Sequence, residues 1–375
     1  MKFVLAPDSF KESLTAKEVA DAMEIGIKKV FPDAECIKVP MADGGEGTVQ
    51  SLVDGTEGKI YEVKVTGPLG ETVNARYGIL GDNETAVIEM AEASGIHYVE
   101  KEKRNPLITT TFGTGEVIKY ALDKNVKKII IGIGGSATND GGAGMIQALG
   151  GRLLDEEGND LPFGGGSLDK LYKIDVSNFD KRINEIDIEV ACDVSNPLTG
   201  AEGASAIFGP QKGATEELIK ILDNNLGHYA QIIKEQLGKD MANEKGAGAA
   251  GGLGFALLAF CNGHLKPGID IVIKYSNLDE KVQGASYIIT GEGSIDRQTK
   301  FGKTPYGVAQ VAKKYDIPVI AVAGNVGSGV EELYELGFNS ILSIMPGVMT
   351  LEKALNSGKG NIENTVENVA RLLNI

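Results

Sequence analysis

Glycine in this chain is gathered into clusters at the ends of apolar runs, and that placement constrains the fold more than any other feature. The run Lys128-Ile129-Ile130-Ile131 leads into Gly132-Ile133-Gly134-Gly135-Ser136-Ala137-Thr138-Asn139-Asp140-Gly141-Gly142-Ala143-Gly144, and helical residues Met145 to Leu149 follow. A second cluster spans Gly246 to Gly254, with smaller ones near Gly44 and Gly291. Glycine fills fifty of 375 positions, well above average usage, so the backbone must come close to something at these loops. Strand, glycine loop and helix in repeated succession predict an α/β fold.

The opening residues fit the same scheme. Phe3-Val4-Leu5-Ala6 reads as a strand, Pro7-Asp8-Ser9 as a loop, and Val19, Ala22, Met23 and Ile27 as the apolar stripe of a helix that Ser13 or Thr15 can cap. Ile37-Lys38-Val39 reads as a second strand ending at Pro40, before the loop Met41–Thr48 that carries Asp43 and Glu46. Alternation over Tyr61–Val65 and Val73–Tyr77, flanking Gly67-Pro68-Leu69-Gly70, predicts a β-hairpin. Strand–loop–helix order returns at Tyr287–Gly291 and Pro318–Gly324. The expected organisation is a discontinuous Rossmann- or flavodoxin-like domain over residues 1–60 and 285–375, three-layered around a parallel sheet, with a second α/β domain, 61–284, inserted into it. A chain of 375 residues suits two such cores.

Charge narrows the partners. A net charge of −15 repels a nucleic-acid backbone, and no basic cluster with interleaved aromatics offsets it. Bulk acidity also repels small anions, so local lysines, backbone N–H groups or a metal must hold any anionic ligand. No apolar run is long enough for a membrane span, and Asp8 comes too early for a signal-peptide core. Cys36, Cys192 and Cys261 lack metal or disulfide spacing. These features predict a cytoplasmic protein with no membrane or nucleic-acid partner; whether it is a monomer or homodimer they leave open.

Four strand ends carry acids: Asp8, beside Ser9 and Lys11; Asp43 and Glu46; Asp193, near Asn196, after Ile186–Val190; and Glu292 with Asp296 after the strand ending at Ile289. Strand carboxyl ends bind ligands in open α/β sheets, and phosphoryl transfer needs carboxylates, cations and backbone donors together. The Gly134–Thr138 loop, with Asp140, opens a helix and suits an anion. Lys11, Lys212 and Lys303 are candidate phosphate partners. Gly132–Ala137 also matches a dinucleotide fingerprint, but no strand-ended acid follows at the required distance. Walker A, protein-kinase and Gly-x-Ser-x-Gly motifs are absent, and His97, His228 and His264 show no ligand or triad spacing.

Eight segments in order resemble the glycerate kinase type-1 family: Ala6–Lys11, Ala42–Thr48, Gly134–Gly142, Cys192-Asp193-Val194, Asn196-Pro197-Leu198, Phe208–Gly213, Gly248–Gly254, and Gly291-Glu292-Gly293 with Asp296 and Gln298-Thr299. The resemblance implies ATP-dependent phosphorylation of D-glycerate, giving 2-phospho-D-glycerate, with magnesium and an active site between two α/β domains. From the strand-end acids, Asp193, Lys11, Asp8 and Asp296 are expected to be catalytic, with Asp193 accepting the substrate hydroxyl proton. Ser9, Gly134, Gly135, Ser136, Thr138, Asp140, Asn196, Lys212, Gly291, Glu292, Thr299 and Lys303 are expected at substrate or phosphate, and Asp43 and Glu46 at the metal. A kinase of another hydroxy acid, or a non-catalytic hydroxy-acid sensor, are the alternatives.

Overall fold

The computed structural model describes residues 1–375. Its strands are β1 Lys2–Leu5, β2 Glu35–Lys38, β3 Lys59–Thr66, β4 Thr72–Ile79, β5 Thr85–Glu89, β6 Lys128–Gly132, β7 Arg152–Leu154, β8 Lys173–Asp175, β9 Asp187–Ala191, β10 His264–Lys266, β11 Tyr287–Ile295, β12 Val319–Val326 and β13 Ser340–Ser343. The chain divides into two compact units, Met1–Gly58 with Pro267–Ile375, and Lys59–Lys266.

In the first unit, five strands form one sheet in the order β13-β12-β11-β1-β2, and every pairing is parallel. Numbered within the unit this is 2-1-3-4-5, the flavodoxin-like order, with a topological switch point between β1 and β11. Phe3, Leu5, Ile289 and Val322 alternate onto one face, where they form a core with Val19, Met23, Ile27, Ile362 and Val366. Those last five come from the helices Ala16–Lys28 and Gly358–Leu373, which pack on each other. Thr15 caps the first helix in a capping box with Glu18, as the sequence suggests. The helix Thr304–Lys313 packs on β11 and β12.

This unit resumes at Pro267, earlier than the expected 285. The helix Gly268–Tyr275 packs on Thr48–Thr56 and on Thr304–Lys313. Its first residue lies so close to the β2 loop that a Cβ at Gly268 would stand 2.0 Å from Asp43 O.

The inserted unit holds a six-stranded sheet, β10-β9-β6-β5-β4-β3, parallel from β10 to β5 and antiparallel from β5 to β3. β3 and β4 are the expected hairpin. One face carries the large core of Ile129, Ile131, Ile188 and Val190 against Val117, Met145, Leu226, Tyr229, Leu253 and Phe255. β7 and β8 form a separate antiparallel pair.

Candidate active site

At the switch point, backbone hydrogen bonds carry three loops past the ends of their strands side by side. Ala6 N donates to Ile289 O and Asp8 N to Gly291 O, both at 2.8 Å, while Val39 N donates to Leu5 O at 2.7 Å and Met41 N to Pro7 O at 2.9 Å. The loops therefore leave the sheet in register, and they bring Asp8, Asp43 and Glu292 into one electrostatic neighbourhood. The Asp8 carboxylate accepts from Ser9 N at 2.6 Å, from Ser9 Oγ at 3.2 Å, and from the Thr304 hydroxyl through a short bond. Burial lifts its pKa to about 6; the Thr304 bond opposes that rise and the nearby Asp43 charge adds to it.

Glu292, 8% exposed on β11, accepts from Lys303 Nζ at 3.1 Å. Burial again dominates, lifting this carboxyl to about 7 against the pull of Lys303, with Asp8 and Asp43 contributing repulsion. Lys303 also donates to Ser294 O at 3.3 Å and is the N-cap residue of Thr304–Lys313, so an ammonium and a helix N-terminus occupy the same end of this site. Asp43 accepts from Gly45 N at 3.0 Å, and Glu46 and Lys11 are exposed.

Asp296 and Thr299 have a local structural engagement. Asp296 accepts from Gln298 N at 2.7 Å, and Thr299 Oγ1 accepts from Asp296 N at 3.2 Å, a reciprocal cap on the turn Arg297–Phe301. Gly291 is buried. Thr304 is the residue that sequence reasoning missed; its signal was a Thr-Pro step directly after Lys303, a common helix start.

In the inserted unit the loop after β6 is folded inward. Asp140, fully buried, accepts from Thr111 N at 2.8 Å, Thr111 Oγ1 at 2.9 Å, Gly142 N at 3.1 Å and Gly144 N at 3.2 Å. Burial raises its pKa despite these donors. Thr138 is also fully buried, and Ser136 nearly so, whereas Gly134 and Gly135 are exposed. Lys212, read from sequence as an anion partner, lies in the interior, donating to Ser136 Oγ at 2.7 Å and to Thr138 O at 2.6 Å. Asp193 is exposed beyond β9, and Asn196 donates to Glu202 O at 2.8 Å. Of the histidines, His228 meets Leu171 O at 2.7 Å and His97 packs on Tyr98. A surface groove of about 890 Å³ beside β10, lined by Asn243, Glu244, His264 and Lys266 among others, contains none of the strand-end acids. No helix is long and apolar enough to cross a membrane.

Comparison with known proteins adds a second line of support. The profile of the glycerate kinase family matches residues 3–374. A glycerate kinase of Bacillus subtilis (strain 168) is 56% identical over 370 residues, covering 99% of this chain and 97% of its own length. A glycerate 2-kinase of Escherichia coli (strain K12) is 54% identical over 375 residues, 100% of this chain and 98% of its own. Among solved structures, one described as glycerate kinase 2 from Salmonella typhimurium LT2 superimposes with a TM-score of 0.92 at 53% identity, covering 100% of this chain and 98% of that one.

Proposed function

We propose a reaction centre on the premise that the chain belongs to the glycerate kinase family and is a phosphotransferase acting on glycerate. The centre is the β1/β11 switch point, and the observation that carries it is the gathering there of Asp8, Asp43 and Glu292 with Lys303 and a helix N-terminus. ATP is the phosphoryl donor, D-glycerate the acceptor, and 2-phospho-D-glycerate the product; the position follows the name of the Escherichia coli relative.

Asp8 takes the proton of the substrate hydroxyl. Its pKa near 6 leaves it ionised at neutral pH yet basic enough to accept a proton, the balance that general-base catalysis favours. As the hydroxyl oxygen bonds to the terminal phosphorus of ATP, the bond from that phosphorus to the ADP oxygen breaks. Thr304 holds the Asp8 oxygen in place, with Ser9 on its neighbour. Lys303 and the N–H of Thr304, the first residue of Thr304–Lys313, bind phosphate oxygens at the positive end of that helix, and Glu292 keeps the lysine in position. The exposed Lys11 is a further cation for an anion, and the exposed Gly134 and Gly135 N–H groups offer an anion cradle.

Magnesium fits the donor set. Asp43 and Glu46 supply two carboxylates, which suffices for an ion that keeps much of its water and completes its shell with phosphate oxygens. No group of three or more potential ligands gathers as a closed metal cage. Mutual repulsion among Asp8, Asp43 and Glu292 is what a divalent cation relieves. When bound it supplies charge neutralisation of the transferring phosphoryl group.

Asp193, exposed at the end of β9, is the second candidate base. Coupled ADP release with D-glycerate, lactate, tartronate and glycerol, followed by phosphorus NMR of the product, tests the substrate and position. Asp8→Asn and Asp193→Asn separate the bases: the true base loses several orders of magnitude in kcat while ATP affinity holds. Wild-type turnover in Asp8→Asn removes Asp8 from the role.

A further inference from the structure

Lys212 ends the turn Pro210–Lys212 and is 1% exposed. An ammonium has three N–H groups; this one has acceptors in Ser136 Oγ and Thr138 O, both on the loop whose outer residues, Gly134 and Gly135, are exposed. A cationic side chain is thus clamped to the inner side of a loop whose outer glycines, Gly134 and Gly135, are exposed, with Gly135 O accepting from Ile96 N at 2.8 Å. A buried lysine kept only to fill space would be replaced by an apolar residue at no loss, because desolvating its charge is costly.

The surroundings contain few charges. Asp140 favours the ammonium but is already held by four donors. Tyr229, fully buried near Asp140, has a hydroxyl without a partner and a pKa pushed far upward by burial. Arg104 turns its guanidinium to Val99 O and Gln211 O. Burial brings Lys212 itself down to about 7, with Asp140 opposing.

We propose that Lys212 is a positioning residue whose charge, held behind the Gly134–Thr138 loop, sets the affinity of a carboxylate or phosphoryl oxygen on Gly134 and Gly135 without touching it. The proposal rests on the reading that this loop takes an anion of the reaction. An anion in front of the loop favours the ammonium behind it, so binding draws a proton onto Lys212 wherever the amine is partly neutral. By linkage, affinity falls as pH rises through about 7.

Calorimetric titration of D-glycerate and, separately, of ATP with magnesium, each in two buffers of different ionisation enthalpy at pH 7.5, reads that proton directly. One of the two ligands should take up about half a proton in the wild type. Lys212→Met should remove this uptake, weaken that ligand about tenfold at pH 6.5 and flatten its affinity from pH 6.5 to 8.5. Glu292 titrates in the same range, so Glu292→Gln is measured in parallel and should retain the uptake. Unchanged uptake and pH dependence in Lys212→Met overturn the proposal. If that variant does not fold, Lys212→Gln, which keeps a polar group against Ser136 Oγ and Thr138 O, takes its place, and unchanged uptake there is equally fatal. Amide resonances of ¹⁵N-glycine-labelled protein distinguish the two levels. Silence of Gly134 and Gly135 on adding both ligands defeats the loop reading, whereas their response alongside wild-type uptake in Lys212→Met defeats only the lysine's role.

Discussion

Replacing Glu292 by glutamine should stabilise the protein above neutral pH while damaging its chemistry. In the folded chain this carboxyl is lifted from its ordinary value of 4.5 to about 7, chiefly by burial. That gap corresponds to about 3 kcal/mol separating neutral and ionised forms. The sign follows from linkage. Below pH 4.5 the group is protonated whether the chain is folded or not, and its stabilising preference for the neutral form is fully present. As pH rises toward 7 the unfolded chain releases the proton first, so stability drains away, and above 7 the loss is complete.

Glutamine imitates the neutral acid at every pH. It gives up the 3.1 Å ion pair with Lys303, but the lysine side chain is 34% exposed and water takes over much of that role. Denaturant unfolding across pH 4.5 to 8.5 should therefore show wild type and Glu292→Gln alike at the acid end. At pH 8 the variant should lead by up to about 3 kcal/mol. The same variant should lose at least tenfold in kcat/KM as Lys303 loses its anchor. A constant difference between the two proteins at all pH values would refute the reasoning, because only a titrating, desolvated carboxylate produces a gap that opens between 4.5 and 7.

Thr304→Ala removes the hydroxyl that holds the Asp8 pKa down, so the acid limb of the kcat/KM pH profile should move upward from about 6; an unmoved limb would detach Asp8 from that limb. Lys303→Met should raise KM for ATP at least tenfold, read in the coupled ADP assay, and should also push Glu292 further up, since Lys303 is what lowers it. Gly251→Ala should destabilise the inserted unit by more than about 2 kcal/mol in denaturant unfolding. Gly251 sits at φ +68°, and a Cβ there would stand 2.0 Å from Thr138 O.

The parallel sheets were legible because their strands are continuous apolar runs. The run Lys128–Ile131 falls within β6, Lys128–Gly132, and Gly67-Pro68-Leu69-Gly70 announced the β3/β4 hairpin. The return to the first unit was less so: Gly268–Tyr275 joins it through packing on Thr48–Thr56 and Thr304–Lys313, and no local residue pattern encodes such a partner. Strand-end position pointed to Asp8, Asp43 and Glu292, which lie near one another because a parallel sheet delivers strand ends to one edge. What sequence could not supply was direction. Asp296 turns back to cap its own turn and Lys212 turns inward to its loop, while Thr304, looking like an ordinary helix start, reaches Asp8 across nearly three hundred residues of chain.

β1 is an interior strand of its sheet, flanked by β2 and by β11, which is synthesised only after the whole Lys59–Lys266 insertion. A ribosome adding about 5–20 residues each second leaves the first strand without its inner neighbour for tens of seconds. During that interval Phe3-Val4-Leu5 is an apolar edge, open to wrong partners, while the insertion has all of its own strands in hand. The order of assembly is thereby dictated by the gene: the middle of the chain can finish first, and the sheet that carries Asp8 closes last. A nascent chain halted before residue 287 should hold a protease-resistant 59–266 core and a digestible N-terminus.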